Sequence, residues 1–261
     1  LPESLTPLVF GFAGYGNVAR GAQRILGGLP VEEVSPERLV SDFPDGAAFK
    51  GKRDRVYKVV FKEEHMVEPI ESGRGFGLQD YYKHPEKYRG VFEKYLPYPS
   101  VLVNCIYWDD RYPRLVTKSA VKKLYGSDAP PRLRVLGDIS CDIEGAFECN
   151  VKAADSGNPV YVFDPANGET VDGVAGRGPV VLSVDNLPCE LGRESSTEFS
   201  EALMPFIPEM LKTDMSVSYE DVALPDPVKT GLLVHRGELT PEYRYIREFL
   251  DKHEAMAREA L

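Results

Sequence analysis

Apolar and polar positions alternate along the chain in blocks that read as strand, helix, strand. Leu8 to Ala13 is a short apolar run, Asn17 to Leu26 reads as a helix that Gly27-Gly28 stops, and Val31 to Val34 is extended again. Arg55 to Phe61 is a further strand, and the polar, glycine-rich stretch from Glu63 to Gly77 is predicted as an exposed loop. Tyr81 to Tyr95 reads as a helix despite Pro85, and Pro97-Tyr98-Pro99 stops it before the buried-type strand Val101 to Ile106. Lys118 to Tyr125 is a short helix and Arg132 to Ser140 a strand. Pro159 to Phe163 and Pro179 to Val184 are the last strands, flanking the turn-rich Asp164 to Gly168. Thr197 to Lys212 is a helix interrupted by Pro205 and Pro208, and Pro241 to Leu261 is a charged amphipathic helix.

Repeated alternation of this kind predicts an α/β fold: a doubly wound, mostly parallel sheet with helices on both faces, mixed at one edge, and a C-terminal helix. The expected division is a dinucleotide-binding domain over 1–240 and the helix over 241–261. No internal repeat or low-complexity tract interrupts it.

The first strand runs into Gly14-Tyr15-Gly16-Asn17-Val18-Ala19, a Gly-x-Gly-x-x-Ala turn at the start of a helix. In a dinucleotide site, Gly14 permits the tight turn, Gly16 lets the backbone approach a pyrophosphate, and Ala19 packs helix on strand. The N–H groups at the helix start face the anion. A nucleotide cofactor is therefore the working expectation, against the plainer reading of a glycine-rich turn without a ligand.

With 261 residues the chain can bury a sizeable core, and its net charge of -10 disfavours nucleic acid. The one dense basic cluster, Lys50 to Arg55, reads as a solvated loop. Cys105, Cys141, Cys149 and Cys189 lack the spacing of a zinc site or a redox pair, so reduced thiols and no metal are expected. No apolar run is long enough for a membrane span and no signal peptide is legible, which predicts a soluble intracellular protein. The start at Leu1, close before the first strand, predicts a segment cut from a longer polypeptide.

The ends of the strands carry the remaining chemistry. About 20 positions beyond the first glycine a dinucleotide fold reads the ribose 2′ position, and that count lands near Ser35, with Arg38 behind it. The pair suits a 2′-phosphate and so NADPH, with NADH the alternative; Ser35 before Pro36 also reads as a helix N-cap, and the two roles are compatible. Asp138 and Asp142 stand four apart where one strand enters a loop, and Asp185-Asn186-Leu187-Pro188 closes another. Either strand end could supply a carboxylate to a nicotinamide or a substrate ammonium group, or simply cap a turn.

Six blocks in order make the sequence resemble the lysine-ketoglutarate reductase part of the bifunctional aminoadipic semialdehyde synthases. They are Gly14 to Gln23, Tyr82 to Tyr88, Asn104 to Trp108, Pro113 to Thr117, Asp138 to Asp142 and Ser183 to Pro188. Fungal saccharopine dehydrogenases and alanine dehydrogenase are more distantly similar. The resemblance implies reductive condensation of L-lysine with 2-oxoglutarate to saccharopine, with hydride from NADPH. It also implies that this chain is the cofactor-binding half of a two-domain enzyme, whose acid–base lysine and histidine come from the absent first half.

Carried over by motif, Asp142 matches the acid near nicotinamide and substrate, and Asp185 to Pro188 match the loop beside the nicotinamide. Asp142 and Asp185 are the expected catalytic residues. The expected cofactor contacts are Gly14, Tyr15, Gly16, Asn17, Val18, Ser35, Arg38, Cys105, Ile106, Tyr107, Asn186 and Leu187. Ile143-Glu144-Gly145 departs from the Thr-Gly-Gly or Gln-Gly-Gly expected after that acid. The fragment alone is expected to bind cofactor and turn over little or not at all. Compartment, mitochondrial or cytoplasmic, and assembly into homo-oligomers stay open. So do two competing readings, an NAD-dependent alanine-dehydrogenase-like enzyme and a non-catalytic nucleotide-binding module.

Overall fold

The structure, a computed structural model, describes residues 1–42, 52–127 and 131–251. Two compact units divide the chain, Leu1–Leu187 and Pro188–Leu261, so the division falls well before the expected 240/241 boundary.

In chain order the first unit holds β1 (Val9–Ala13), α1 (Asn17–Leu26), β2 (Val31–Glu33), α2 (Pro36–Asp42), β3 (Val56–Phe61), α3 (Glu63–Met66), β4 (Val67–Pro69), α4 (Leu78–Lys83), β5 (Tyr88–Gly90), β6 (Val101–Asn104), α5 (Lys118–Tyr125), β7 (Val135–Asp138), β8 (Val160–Phe163), β9 (Thr170–Asp172) and β10 (Val180–Leu182). Its main sheet has eight strands in the order β2-β3-β1-β6-β7-β10-β8-β9. The run from β2 to β10 is parallel, and β8 and β9 are antiparallel at one edge. This is the expected doubly wound, Rossmann-like sheet, mixed at one edge.

The order of the first three strands differs from the simple β-α-β unit expected. β2 pairs with β3, and β3 rather than β2 lies beside β1. Composition accounts for the exchange. β3, Val-Tyr-Lys-Val-Val-Phe, buries four of its six residues and suits an interior position. β2, Val-Glu-Glu, buries none and suits an edge. Ion pairs of Glu32 with Arg55 (3.1 Å) and Glu33 with Lys58 (2.8 Å) hold β2 in register there.

The segment predicted as an exposed loop instead forms α3 and β4, and β4 pairs antiparallel with β5 in a two-stranded sheet. The single helix expected over Tyr81 to Tyr95 is broken for a related reason. Pro85 disfavours a helical residue before it, and His84 leaves α4 at φ -139°, ψ 58°. The chain then makes a 3-10 turn at Pro85–Lys87, β5 and a second 3-10 turn at Phe92–Tyr95.

The core lies around β3, β6 and β7. Phe61 packs edge-on against Phe92 with ring centroids 4.9 Å apart, and against Tyr95 at 4.9 Å. Tyr57, Leu102, Leu136, Phe147 and Tyr161 complete a contiguous buried cluster. Full burial of each large side chain contributes about 1.5–3 kcal/mol, enough for this cluster to fix the strand order.

The second unit contains α6 (Gly192–Leu203), α7 (Ile207–Lys212), α8 (Asp226–Thr230) and a hairpin of β11 (Val234–His235) and β12 (Glu238–Leu239). A 3-10 turn at Met204–Phe206, carrying Pro205, separates α6 from α7, where the sequence predicts one interrupted helix. The expected C-terminal helix opens as a 3-10 turn at Pro241–Tyr243, and residues 246–251 are helical. Its remainder, like Lys50 and Gly51 of the basic cluster, lies outside the described residues.

Candidate functional site

The site begins where β1 turns into α1. Gly14 adopts φ +102°, and a Cβ there would stand 3.0 Å from the Ile106 Cγ2 and 3.2 Å from the Cys105 carbonyl oxygen. Only glycine meets both demands without strain. The Gly14 N–H donates to the Phe61 carbonyl at 2.9 Å, which ties the turn to the end of β3.

Gly16 caps α1 with no side chain, and a Cβ on it would meet nothing within 4 Å. The first helical hydrogen bond of the series runs from the Arg20 N–H to the Gly16 carbonyl at 2.9 Å. The N–H groups of Asn17, Val18 and Ala19 therefore have no acceptor within their own helix, which gives α1 an open, electropositive start.

From β1 the chain winds outward to β2 and β3, then crosses to β6 on the other side of β1. The C-terminal ends of β1 and β6 thus flank the switch point where open α/β sheets bind ligands. Two cavities lie there. The first, about 390 Å³, is lined by Gly14, Tyr15 and Gly16 of the turn, by Cys105, Ile106, Tyr107 and Trp108 after β6, and by an aromatic wall with Glu63, Tyr81 and Tyr82. The second, about 350 Å³, shares Cys105 to Trp108 and adds Val18, Ile139, Ser140 and Asp142. A larger cavity of about 700 Å³ opens by Val135 and Val180, where β7 and β10 begin, at the opposite edge of the sheet.

In the first cavity the Tyr82 hydroxyl donates to the Glu63 carboxylate at 2.5 Å. Burial, then this bond, pushes the Tyr82 hydroxyl far above the ordinary tyrosine value. Desolvation and the same carboxylate raise Tyr15. Both phenols stay protonated at neutral pH and present hydroxyl groups beside the glycine turn.

Under the second cavity lies a buried polar network. Asp138, 1% exposed at the end of β7, accepts from Asn104 Nδ2 at 2.8 Å and from Asn150 Nδ2 at 2.9 Å. Asn150 Oδ1 accepts from the Ser183 hydroxyl at 2.6 Å and from the Tyr161 hydroxyl at 3.2 Å. Burial holds the Asp138 carboxyl above the ordinary value although both amides act against that shift. Cys141, at φ +55°, donates through Sγ to the Ser183 carbonyl at 3.2 Å, and the Ser140 hydroxyl donates to the Ile106 carbonyl at 2.6 Å. These bonds fasten the loop after β7 to the ends of β6 and β10. Asp142 projects from that loop into the second cavity, and partial desolvation raises its carboxyl as well.

The structure therefore brings together Gly14, Tyr15, Gly16, Val18, Cys105, Ile106, Tyr107 and Asp142 from the sequence-derived set, with Asn17 at the first position of α1. Ser35 and Arg38 lie elsewhere. They follow β2, which β3 separates from β1, and the Ser35 hydroxyl accepts from the Arg38 N–H at 3.2 Å as an N-cap. Asp185, Asn186 and Leu187 follow β10, which β7 separates from β6, and line neither cavity. Glu63, Tyr82 and Trp108 are among the lining residues that sequence reasoning missed as site residues. The blocks Tyr82 to Tyr88 and Asn104 to Trp108 held the signal for two of them, and Glu63 had none, because its neighbourhood depends on β3 pairing with β1. Among the described residues no group of three metal-ligating side chains comes together, and no helix is long and apolar enough to cross a membrane.

No protein-family model matches the chain. It is 38% identical over 254 residues to the alpha-aminoadipic semialdehyde synthase of Arabidopsis thaliana, covering 94% of this chain and 23% of that protein. The mitochondrial alpha-aminoadipic semialdehyde synthase of Mus musculus is 32% identical over 270 residues, covering 97% of this chain and 28% of that protein. A saccharopine dehydrogenase (NAD(+), L-lysine-forming) of Emericella nidulans is 32% identical over 124 residues, 44% of this chain and 29% of that protein. Among solved structures an L-alanine dehydrogenase aligns with a TM-score of 0.49 and 15% identity over 94% of this chain and 54% of its own. The chain thus spans about a quarter of the length of the curated relatives it matches.

Proposed function

We infer, from a chain homologous over nearly its whole length to one segment of the alpha-aminoadipic semialdehyde synthases, that it is the cofactor-binding portion of a lysine-ketoglutarate reductase. The reaction would join L-lysine to 2-oxoglutarate and reduce the imine to saccharopine. The observation that carries this reading is the glycine turn and open α1 start beside a crevice at the sheet's switch point, with the Asp142 carboxyl facing in.

The residues fit a nicotinamide dinucleotide. The space over Gly16 admits a pyrophosphate, and the N–H groups at the start of α1 would hold it. Cys105, Ile106 and Tyr107 wall the path from the turn toward Asp142. A bound nicotinamide supplies hydride, and everything else this chain contributes is position. The raised carboxyl of Asp142 holds a substrate ammonium group when ionised and a proton when not. The acid–base pair for imine chemistry would come from a preceding half, so this chain alone binds and does not turn over.

Calorimetric titration of the chain with NADPH and NADH tests the reading. Saturable binding of either dinucleotide, weakened by Gly16→Ala, is expected. Binding of neither would remove the basis of the proposal. The relatives named for NAD(+) align with less than half of the chain, and NADPH is the cofactor expected here.

A further inference from the structure

We propose that Lys62 reads the 2′ position of the adenosine ribose and gives the site its preference for a 2′-phosphorylated dinucleotide. The inference rests on the cofactor-binding reading above and assigns one residue within it.

In a dinucleotide fold the residue that reads the ribose closes the strand next to the glycine strand. Counting along the sequence assigns this duty to the second strand, and so to Ser35 and Arg38. The sheet does not follow the count, because β3 intervenes and β2 lies one strand further out, about 5 Å more from the glycine turn.

Register fixes which residue inherits the position. Ala13 of β1 is level with Phe61 of β3, and the Gly14 N–H donates to the Phe61 carbonyl at 2.9 Å. The next residue on each strand is Gly14 on one and Lys62 on the other. The first glycine of the turn therefore stands beside a lysine.

The chemistry of that lysine selects between ligands. A carboxylate at this place would accept hydrogen bonds from ribose hydroxyls, whereas an ammonium group has three donors and no acceptor, and so suits a phosphate. Lys62 is exposed, and its ammonium has no hydrogen-bond or ion-pair partner among the described residues. Its backbone is fixed, because its N–H donates to His65 Nδ1 at 2.9 Å. Two nearby carboxylates are already engaged. Glu63 accepts from the Tyr82 hydroxyl, and Glu37 faces His65 Nε2 at 3.4 Å.

The test is titration of the chain and its Lys62→Ser and Lys62→Arg variants with NADPH, NADH, 2′,5′-ADP and 5′-AMP. The wild type is expected to favour NADPH over NADH. Lys62→Ser should weaken NADPH and 2′,5′-ADP about 10- to 100-fold, the range of one charge-assisted contact, and leave NADH and 5′-AMP within about twofold. Lys62→Arg should restore the preference. Circular dichroism confirms that each variant is folded. An unchanged NADPH-to-NADH ratio in Lys62→Ser, or a ratio lost in Arg38→Ala instead, overturns the assignment and leaves the cofactor reading standing. Binding of neither dinucleotide to the wild type overturns both.

Discussion

Asn104 and Asp138 are register partners at the ends of adjacent parallel strands, and the Asn104 amide donates to the Asp138 carboxylate at 2.8 Å. With Asn150 on its second oxygen at 2.9 Å, Asp138 joins two strand ends and the loop that carries Asp142. It is a positioning residue under the crevice.

Removing Asp138 should therefore cost fold stability. Asp138→Ala leaves two buried amide donors unpaired, an expected loss of about 2–4 kcal/mol in urea denaturation. The pH dependence has a definite sign. Burial raises the folded carboxyl above its unfolded value, so the unfolded chain releases this proton first as pH rises. The contribution of Asp138 is then fullest below the ordinary aspartate value and declines through the raised folded one. The stability difference between wild type and Asp138→Asn should shrink as pH rises from the ordinary aspartate value through the raised folded one. A difference that grows over that range contradicts the raised carboxyl.

The two glycines of the turn should separate fold from binding. Gly14→Ala places a Cβ at φ +102° against Ile106 and the Cys105 carbonyl, and should cost about 1–3 kcal/mol of stability. Gly16→Ala meets no atom within 4 Å and should change stability by less than about 1 kcal/mol. Its methyl group instead enters the space left for a pyrophosphate, and dinucleotide affinity should fall by about tenfold or more. Thermal denaturation beside calorimetry distinguishes the two effects.

Sequence made the local parts of this architecture legible and left the long-range parts dark. The β1 turn and α1 could be read because strand, glycines and helix are contiguous, and α1 and α5 have the predicted bounds. The pairing of β1 with β3 could not, since it depends on the better apolar segment winning the interior place over Val-Glu-Glu. That one exchange places Lys62 rather than Ser35 at the strand end beside the glycine turn and brings Glu63 to that turn. The acids Asp138 and Asp142 look alike in sequence, yet one ends a buried strand and the other stands in the loop beyond it.

Thiol labelling should follow burial. Desolvation pushes Cys105 up to about 11 and Cys149 to about 12, whereas Cys189 is exposed. At about pH 8 roughly one Cys105 in a thousand is thiolate, the reactive form. Brief alkylation at that pH should modify Cys189 first and leave Cys105 and Cys149 intact, as peptide mass mapping would show. Early labelling of Cys105 would contradict the desolvation that keeps its thiol protonated.

Glu144 offers the most discriminating test of the loop after β7, because its backbone and side chain pull in opposite directions. It sits at φ +51°, a conformation that disfavours any residue with a Cβ, at a position where the related enzymes are expected to carry glycine. The backbone is held there from both sides. Its N–H donates to the Asn150 carbonyl at 2.6 Å, and its carbonyl accepts from Arg114 Nε and Nη2, each at 3.0 Å. The side chain pairs with Lys118 at the surface, where such pairs contribute little. Glu144→Gly removes the left-handed strain and the surface pair together, and part of the gain is lost to the greater freedom of glycine in the unfolded chain. A net rise in melting temperature of about 1–4 °C is expected. Glu144→Ala keeps the strain and loses the pair, so it should lower the melting temperature slightly. Opposite signs for the two variants would show that the loop stores backbone strain beside Asp142, and equal falls would assign the position to its ion pair.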